Sequence, residues 1–419
     1  MQLLIKNVRI NDGLTAQKPV DLLIRDGIIT EIAADISPAT GMDVWDTGGA
    51  CVSPGWFDTG VQICDPGHEH REDIQSALRA AAAGGFTGIA CFANTSPAIH
   101  SKSEVLYVKN KAQSYHSPVE MYPLGAISQN CDGKDLAELI DMYHAGAVAF
   151  SDGYRAVQDA GLLLRALQYA GAFDGLIMNR PHHKTVAAGG QMHEGVMSTS
   201  LGLKGIPALA EELMVQRDLS LLEYAGGRLH IHLVSTAKSI DLIRAARSRG
   251  LAVTCSVAAV NLCFSDEMMA DFDSNWKVMP PLRSHPDAEA LRSAVLDGTV
   301  DLICSNHIPW HEEAKNLEFP YAEFGMTGLE TAFSLCLTHT DIPVEILVSK
   351  FALAPRRILG LPVPAVKKGE RANLTVFDPE ATWLYSSSES RSANSPFLGT
   401  ELKGKVLGVV NQHQALRRQ

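Results

Sequence analysis

From residue 54 to residue 306 the chain alternates short apolar runs with longer amphipathic ones, and that alternation leaves few folds open to it. The short runs are 56–62, 87–92, 119–125, 146–151, 174–179, 228–233, 251–257 and 301–306. They are apolar and bounded by turn residues, so they read as strands. Between them lie helical patterns, among them Glu72–Ala83, Lys134–Tyr143, Gln158–Tyr169, Ile206–Glu223 and Ala237–Arg249. Strand–helix alternation predicts a parallel sheet, and eight such units close into a (β/α)₈ barrel of about 250 residues. The segment between Asn179 and Ile206 is a long loop rich in Gly and His. Long loops of this kind often cover a site.

Both ends differ from the middle. Residues 1–52 read as short strands, with Leu3-Leu4-Ile5, Val20–Ile24 and Gly27–Ile32 separated by turn signals at Asp12-Gly13 and Asp26-Gly27. Strand texture returns over Lys368–Asp378 and from Pro396 to Val410. A chain of 419 residues with 46% hydrophobic content can bury the large core that this organisation needs.

The net charge of −11, without a basic block, argues against nucleic acid as a partner. No apolar run is long enough to span a bilayer, and Met1–Lys6 lacks a signal-peptide layout. A cytoplasmic location is expected, with no membrane partner. The eight cysteines include no Cys-x-x-Cys pair and mostly sit in apolar runs, so they read as reduced, buried side chains.

The first barrel run carries the most specific motif, Pro54-Gly55-Trp56-Phe57-Asp58-Thr59-Gly60-Val61-Gln62-Ile63-Cys64-Asp65-Pro66-Gly67. It resembles the first strand of the amidohydrolase superfamily, in its dihydroorotase and allantoinase branch, which writes Pro-Gly-x-x-Asp-x-His-x-His-x-Arg-x-Pro-Gly here. Further segments resemble the same branch: Glu72-Asp73-Ile74, Ala81–Thr87, Asn94-Thr95, Gly146–Gly153, Glu194–Gly202, Leu229–Thr236, Pro280–Arg283 and Phe324–Thr331. The resemblance spans nearly the whole chain. It implies a TIM-like amidohydrolase barrel over 54–364 and a small β-sandwich domain built from both termini, 1–53 and 365–419.

The departures from that family pattern cluster on its zinc site. Gly60 and Gln62 stand where the first strand has two histidines, Asn179 where the fifth has one, and Leu233 where a histidine precedes Val-Ser-Thr. Asn306 stands where an aspartate binds metal and acts as general base, and Asp152 matches the bridging-ligand position. Imidazole and carboxylate are zinc ligands, whereas glycine and leucine offer nothing. Two zinc ions would bring four positive charges; without them a buried aspartate at 306 would be costly, and an asparagine keeps the shape without the charge. Gln62 and Asn179 are expected to hydrogen-bond to one another or to water, as buried amides must.

The substrate positions change as well. Cys64 replaces an arginine that would hold a carboxylate, and Met279 stands where an asparagine precedes Pro280-Pro281-Leu282-Arg283. Asn94 and His307 match ligand-contacting positions. If Leu233 faces the barrel interior, strand alternation sends His230 and His232 outward. A rewired metal site on that pair, or on His68, His70, His182, His183 or His193, is the competing reading.

The resemblance therefore implies a dihydroorotase-like protein of pyrimidine biosynthesis without intact catalytic residues or bound zinc. Inactive homologues in the family associate with aspartate transcarbamoylase, and this chain is expected to do so, as a homo-oligomer. Two alternatives stand beside this reading. One is an active zinc-dependent cyclic amidohydrolase with unusual ligands. The other is a small-molecule sensor using Asn94 and His307. A new metal-free activity would have to use Asp152, His307 or Cys64.

Overall fold

The structure is a computed structural model that describes residues 1–12 and 18–418. The turn expected at Asp12-Gly13 falls at the edge of the described residues. Seven of the eight expected barrel strands form: Trp56–Val61, Phe86–Cys91, Glu120–Pro123, Leu176–Asn179, Arg228–Ile231, Val253–Ala258 and Leu302–Cys304. All neighbouring pairs among them are parallel. The run at 146–151 does not form a regular strand. Only Phe150 forms bridges, to Gly125 and Ile177, although Val148 N–H also donates to Pro123 O and Gly125 N–H to Ala149 O. Its backbone still carries the barrel across this gap, with Phe150 N–H donating to Leu176 O and Ser151 N–H to Gly125 O.

The barrel closes without ladder bonds between its first and last strands. Three contacts serve instead. Ser305 N–H donates to the Asp58 carboxylate at 3.0 Å, Thr59 Oγ1 meets Cys304 Sγ at 3.1 Å, and Gln62 N–H donates to His307 O at 3.1 Å. Below the mouth the interior is filled by Phe57, Ala90, Phe92, Leu124, Ala149 and Met178, so the barrel is a packed core and not a pore.

Helices wrap the outside, among them Ile74–Ala83, Ala160–Gly171, Leu209–Ala225 and Ala237–Ser248. Asp73 and Thr236 cap two of them by accepting from Ser76 N–H and Ser239 N–H. The helical pattern read at Lys134–Tyr143 yields a helix only over Leu139–Ala145. The residues before it are held in a loop by Asp152, whose carboxylate accepts from Ile127 N–H, Ser128 N–H and Ser128 Oγ.

Both termini build one eight-stranded sheet. Gln2–Ile10 pairs with Val20–Arg25 and Asp43–Asp46 over its first part and with Cys51–Pro54 at its end. Cys51–Pro54 in turn pairs with Leu374–Leu384 from the C-terminal part. Leu3, Ile5, Val8, Leu22, Ile24, Val52, Leu374, Val376 and Val410 share the core of this domain. Among the described residues no helix is long and apolar enough to cross a membrane.

Two contacts near the seam make predictions. Asp58 is fully buried, and desolvation pushes its carboxyl up to about 6. The folded chain thus holds this proton more tightly than the unfolded one. The resulting stabilisation is complete below pH ~4 and is lost as pH rises through about 6. Urea unfolding of Asp58→Asn should show a decline between pH 4 and 7 smaller than wild type by about 2–3 kcal/mol. Superimposable pH profiles would remove Asp58 from the account. At Gly60, φ is +110°, and an added Cβ would lie 2.7 Å from Phe92 Cζ and 2.8 Å from His232 Nε2. Gly60→Ala should cost about 2–4 kcal/mol, combining overpacking with backbone strain. Gly133→Ala, with φ of +76° and nothing within 4 Å, should cost only the strain. Equal losses would mean that the packing contact is soft.

Candidate functional site

The ends of the strands decide which side chains reach the barrel mouth. In the ladder between Leu176–Asn179 and Arg228–Ile231, His230 sits opposite Met178 and Ile231 opposite Asn179. Met178 packs in the interior, so His230 faces inward with it. His232, two residues on, also points in: its ring lies against Gly60 and in edge contact with Phe92. The outward placement expected for this pair is therefore reversed. Leu233 is the residue that leaves, with φ of +62°, and it packs with Met192, Ala258 and Val260 beneath neighbouring loops. Strand alternation holds through this stretch; the premise that Leu233 faces the interior is what fails.

The same face assignment applies at Asn179, which follows the inward Met178. Its side chain turns towards the helices, donating to Asp218 Oδ2 at 2.6 Å and accepting from Val157 N–H at 3.1 Å. It does not meet Gln62, as had been expected. The next residue, Arg180, faces the mouth instead. Its guanidinium is buried and donates to the carbonyl of Met279. Asn306 Nδ2 donates to that same carbonyl at 3.2 Å. Gln62 Oε1, Asn306 Oδ1 and His232 Nε2 are buried without a hydrogen-bond partner.

The remaining positions are occupied with structure. Asp152 is spent on the loop described above, so its carboxylate does not bridge towards the mouth. Asn94 donates to Asp152 O and accepts from Tyr154 N–H. His307 Nδ1 accepts from Gly328 N–H, which leaves Nε2–H to donate to Glu72 at 3.3 Å. Asn94 and His307 are thus both engaged with neighbouring protein groups. Cys64 is fully buried, and desolvation pushes its thiol up to about 12, so it supplies no thiolate at neutral pH.

The residues at these positions do not fit zinc. Glycine and leucine occupy two of them, an amide is turned away at a third, and a guanidinium reaches the mouth. Among the described residues no group of three or more His, Cys, Asp and Glu side chains is arranged to hold a metal ion. His230 bonds Thr254 and Ser256, and His232 Nδ1 bonds Ser256. Burial drives both rings well below the usual histidine range, so they are neutral.

A cavity of about 330 Å³ opens at this mouth, lined by Gln62, Tyr154, Arg180, His182, Met279, Trp310 and Phe324 among others. The long loop after Asn179 contributes His182, Ala187 and Gly190, as a covering loop should. The facing wall is stiffly held. Lys277 Nζ donates to the carbonyls of Phe319, Pro320 and Ala322, and Lys315 Nζ to those of Glu323 and Gly325. Arg71 lies over the Trp310 ring, 3.4 Å from its centre, and donates to Pro309 O. A larger cavity of about 870 Å³ lies at the opposite end of the barrel, where the strands begin. Barrel chemistry belongs to the C-terminal ends of strands, which selects the smaller one.

Sequence reasoning missed Arg180, Trp310 and the two lysines. The signal for Arg180 was present: a charged residue closing the run Leu176-Ile177-Met178-Asn179.

The family described as dihydro-orotase-like matches residues 49–239. A dihydroorotase of Pelotomaculum thermopropionicum is 43% identical over the full length of both chains. One of Acetivibrio thermocellus is 41% identical, covering 96% of each. Among solved structures, an L-hydantoinase (dihydropyrimidinase) of Arthrobacter aurescens superposes with a TM-score of 0.87 at 25% identity, over 99% of this chain and 96% of that one. A D-hydantoinase of a Thermus species has a TM-score of 0.82 at 19% identity, over 99% of this chain and 95% of that one, a likeness of fold. With its TIM-barrel amidohydrolase fold and full-length identity to these relatives, the chain belongs to the dihydroorotase family.

Proposed function

We propose that this dihydroorotase-family protein no longer opens a cyclic amide and instead acts in pyrimidine biosynthesis as a structural partner of aspartate transcarbamoylase. The observation that carries the loss of catalysis is the pairing at the Met279 carbonyl. Arg180 and Asn306 both donate to it, so the mouth presents a cation and an amide where the reaction needs a metal and a base. Ring hydrolysis needs an activated water, an electrophile on the carbonyl and a proton acceptor. The Asn306 amide cannot take a proton at neutral pH, and a guanidinium does not lower the pKa of water as a bound metal does.

The partner reading and the expected homo-oligomer rest on the likeness to inactive family members, as does a cytoplasmic location. A sensor role remains a second reading, favoured by the cavity at the mouth. It would use Arg180 and Gln62, not the Asn94 and His307 first considered.

Purified protein, with and without added zinc, should convert dihydroorotate no faster than buffer, while the Pelotomaculum relative turns it over. It should also carry far less than one metal ion per chain. Turnover within a hundredfold of the relative, with zinc bound, would restore the active-amidohydrolase alternative. Mixed at micromolar concentration with aspartate transcarbamoylase from the same source, the chain should co-elute on size exclusion. Separate elution would sink the partner reading and leave the catalytic one standing.

A further inference from the structure

We propose that two copies of this chain meet through the outer face of helix Leu209–Ala225, each helix lying antiparallel to the same helix of the other copy. This rests on the homo-oligomer expected above. It goes beyond that reading by assigning the surface and its register.

The helix has 17 residues and buries one face through Ala210, Met214, Val215, Leu219 and Leu222. The opposite face carries Leu209, Leu213, Gln216, Ser220 and Tyr224, all exposed and none charged. Their spacing of three or four residues sets them in one stripe about 22 Å long. The solvent face of a helix ordinarily carries charged and polar residues. Here Leu209 is 50% exposed, Leu213 43% and Tyr224 78%. The short helix Val196–Leu201 adds Val196, which is 82% exposed. It lies near the start of the stripe, since Glu194 N–H donates to Ile206 O at 3.1 Å. Val196 and Tyr224 are the two most exposed large apolar side chains among the described residues. A continuous stripe of this kind marks a contact surface.

Charge selects a second copy as the occupant. The chain carries a net charge of −11, so two copies approach closely only where carboxylates are absent or matched. The stripe has none. On one flank, Glu212 precedes Leu213 and Glu223 precedes Tyr224, and Glu223 is ion-paired with Arg249 at 3.4 Å. In an antiparallel pair Leu209 faces Tyr224 of the second copy and Leu213 faces Ser220, because both pairs centre on the step from Gln216 to Arg217. A two-fold keeps like flanks together. It therefore brings Glu223 and its Arg249 within a turn of Glu212 of the second copy, and the guanidinium then serves two carboxylates. Gln216 falls beside the axis, where its amide, donor and acceptor at once, meets its own copy. On the other flank Arg217 is already spent on Asp218 and on the carbonyls of Val157 and Gln158, so it brings no unpaired cation to the contact.

The test is sedimentation velocity of the full-length protein over a dilution series. Wild type should associate at micromolar concentration. Leu213→Lys combined with Tyr224→Lys should weaken association at least about tenfold. Leu296→Lys, at an exposed apolar position on another helix, should leave it unchanged. Arg249→Glu should weaken it as well, and adding Glu212→Arg should restore it. Gln216→Cys should give a covalent dimer with oxidised glutathione, which wild type should not. If the double lysine variant does not fold, Tyr224→Lys alone keeps the comparison. A wild-type monomer overturns both the homo-oligomer and this surface. An assembly that the lysine variants leave intact overturns this surface alone. Failure of the charge swap to restore association, or no cross-link at 216, overturns the antiparallel register.

Discussion

The carbonyl oxygen of Met279 fixes the character of the barrel mouth. It takes the Arg180 guanidinium and the Asn306 amide together, and so ties the ends of the fifth and eighth strand positions to the loop before Pro280. A buried guanidinium must find acceptors, and here a main-chain oxygen supplies one. The site that results is positive, narrow and lined by amides and aromatic rings. A side-chain cation in the mouth raises the local concentration of anionic groups there.

The interior below adapts to the same change. Gly60 leaves room, and His232 fills it with a neutral ring braced by Phe92 and Ser256. The closing seam shows a related economy of backbone bonding. First and last strands are joined through Asp58, Thr59 and Cys304 rather than through a ladder. Side chains thus join one backbone bond, Gln62 N–H to His307 O, in completing the cylinder, and these three positions are wholly buried.

Most of the architecture was legible in the sequence, because strand–helix alternation and turn residues report directly on a parallel barrel. The terminal strands were legible from their turn residues, whereas their union in one domain was implied by the family resemblance. The run at 146–151 was apolar enough to read as a strand but pairs only through Phe150, since pairing depends on neighbours that periodicity does not describe. The site was less legible. Substitutions at 60, 62, 179, 233 and 306 were visible, yet the side-chain directions at 179, 232 and 233 were not. Alternation runs through 178–180 and 230–233, but periodicity does not say which of the two faces is the interior. Asn94, Asp152 and His307 carry polar groups that suit ligands equally well in sequence. Only the loops around them show that those groups are already engaged.

The wall built from residues 309–325 is gripped by Lys277 and Lys315 through main-chain oxygens. The oxygen bonds of such a clamp do not depend on the side chains the gripped segment bears, although Lys277 also lies 4.8 Å from the centre of the Phe324 ring. Mutational drift at Glu323, whose side chain neither lysine holds, therefore re-lines the chamber while its frame stays put, giving descendants of this chain a ready route to new ligand preferences.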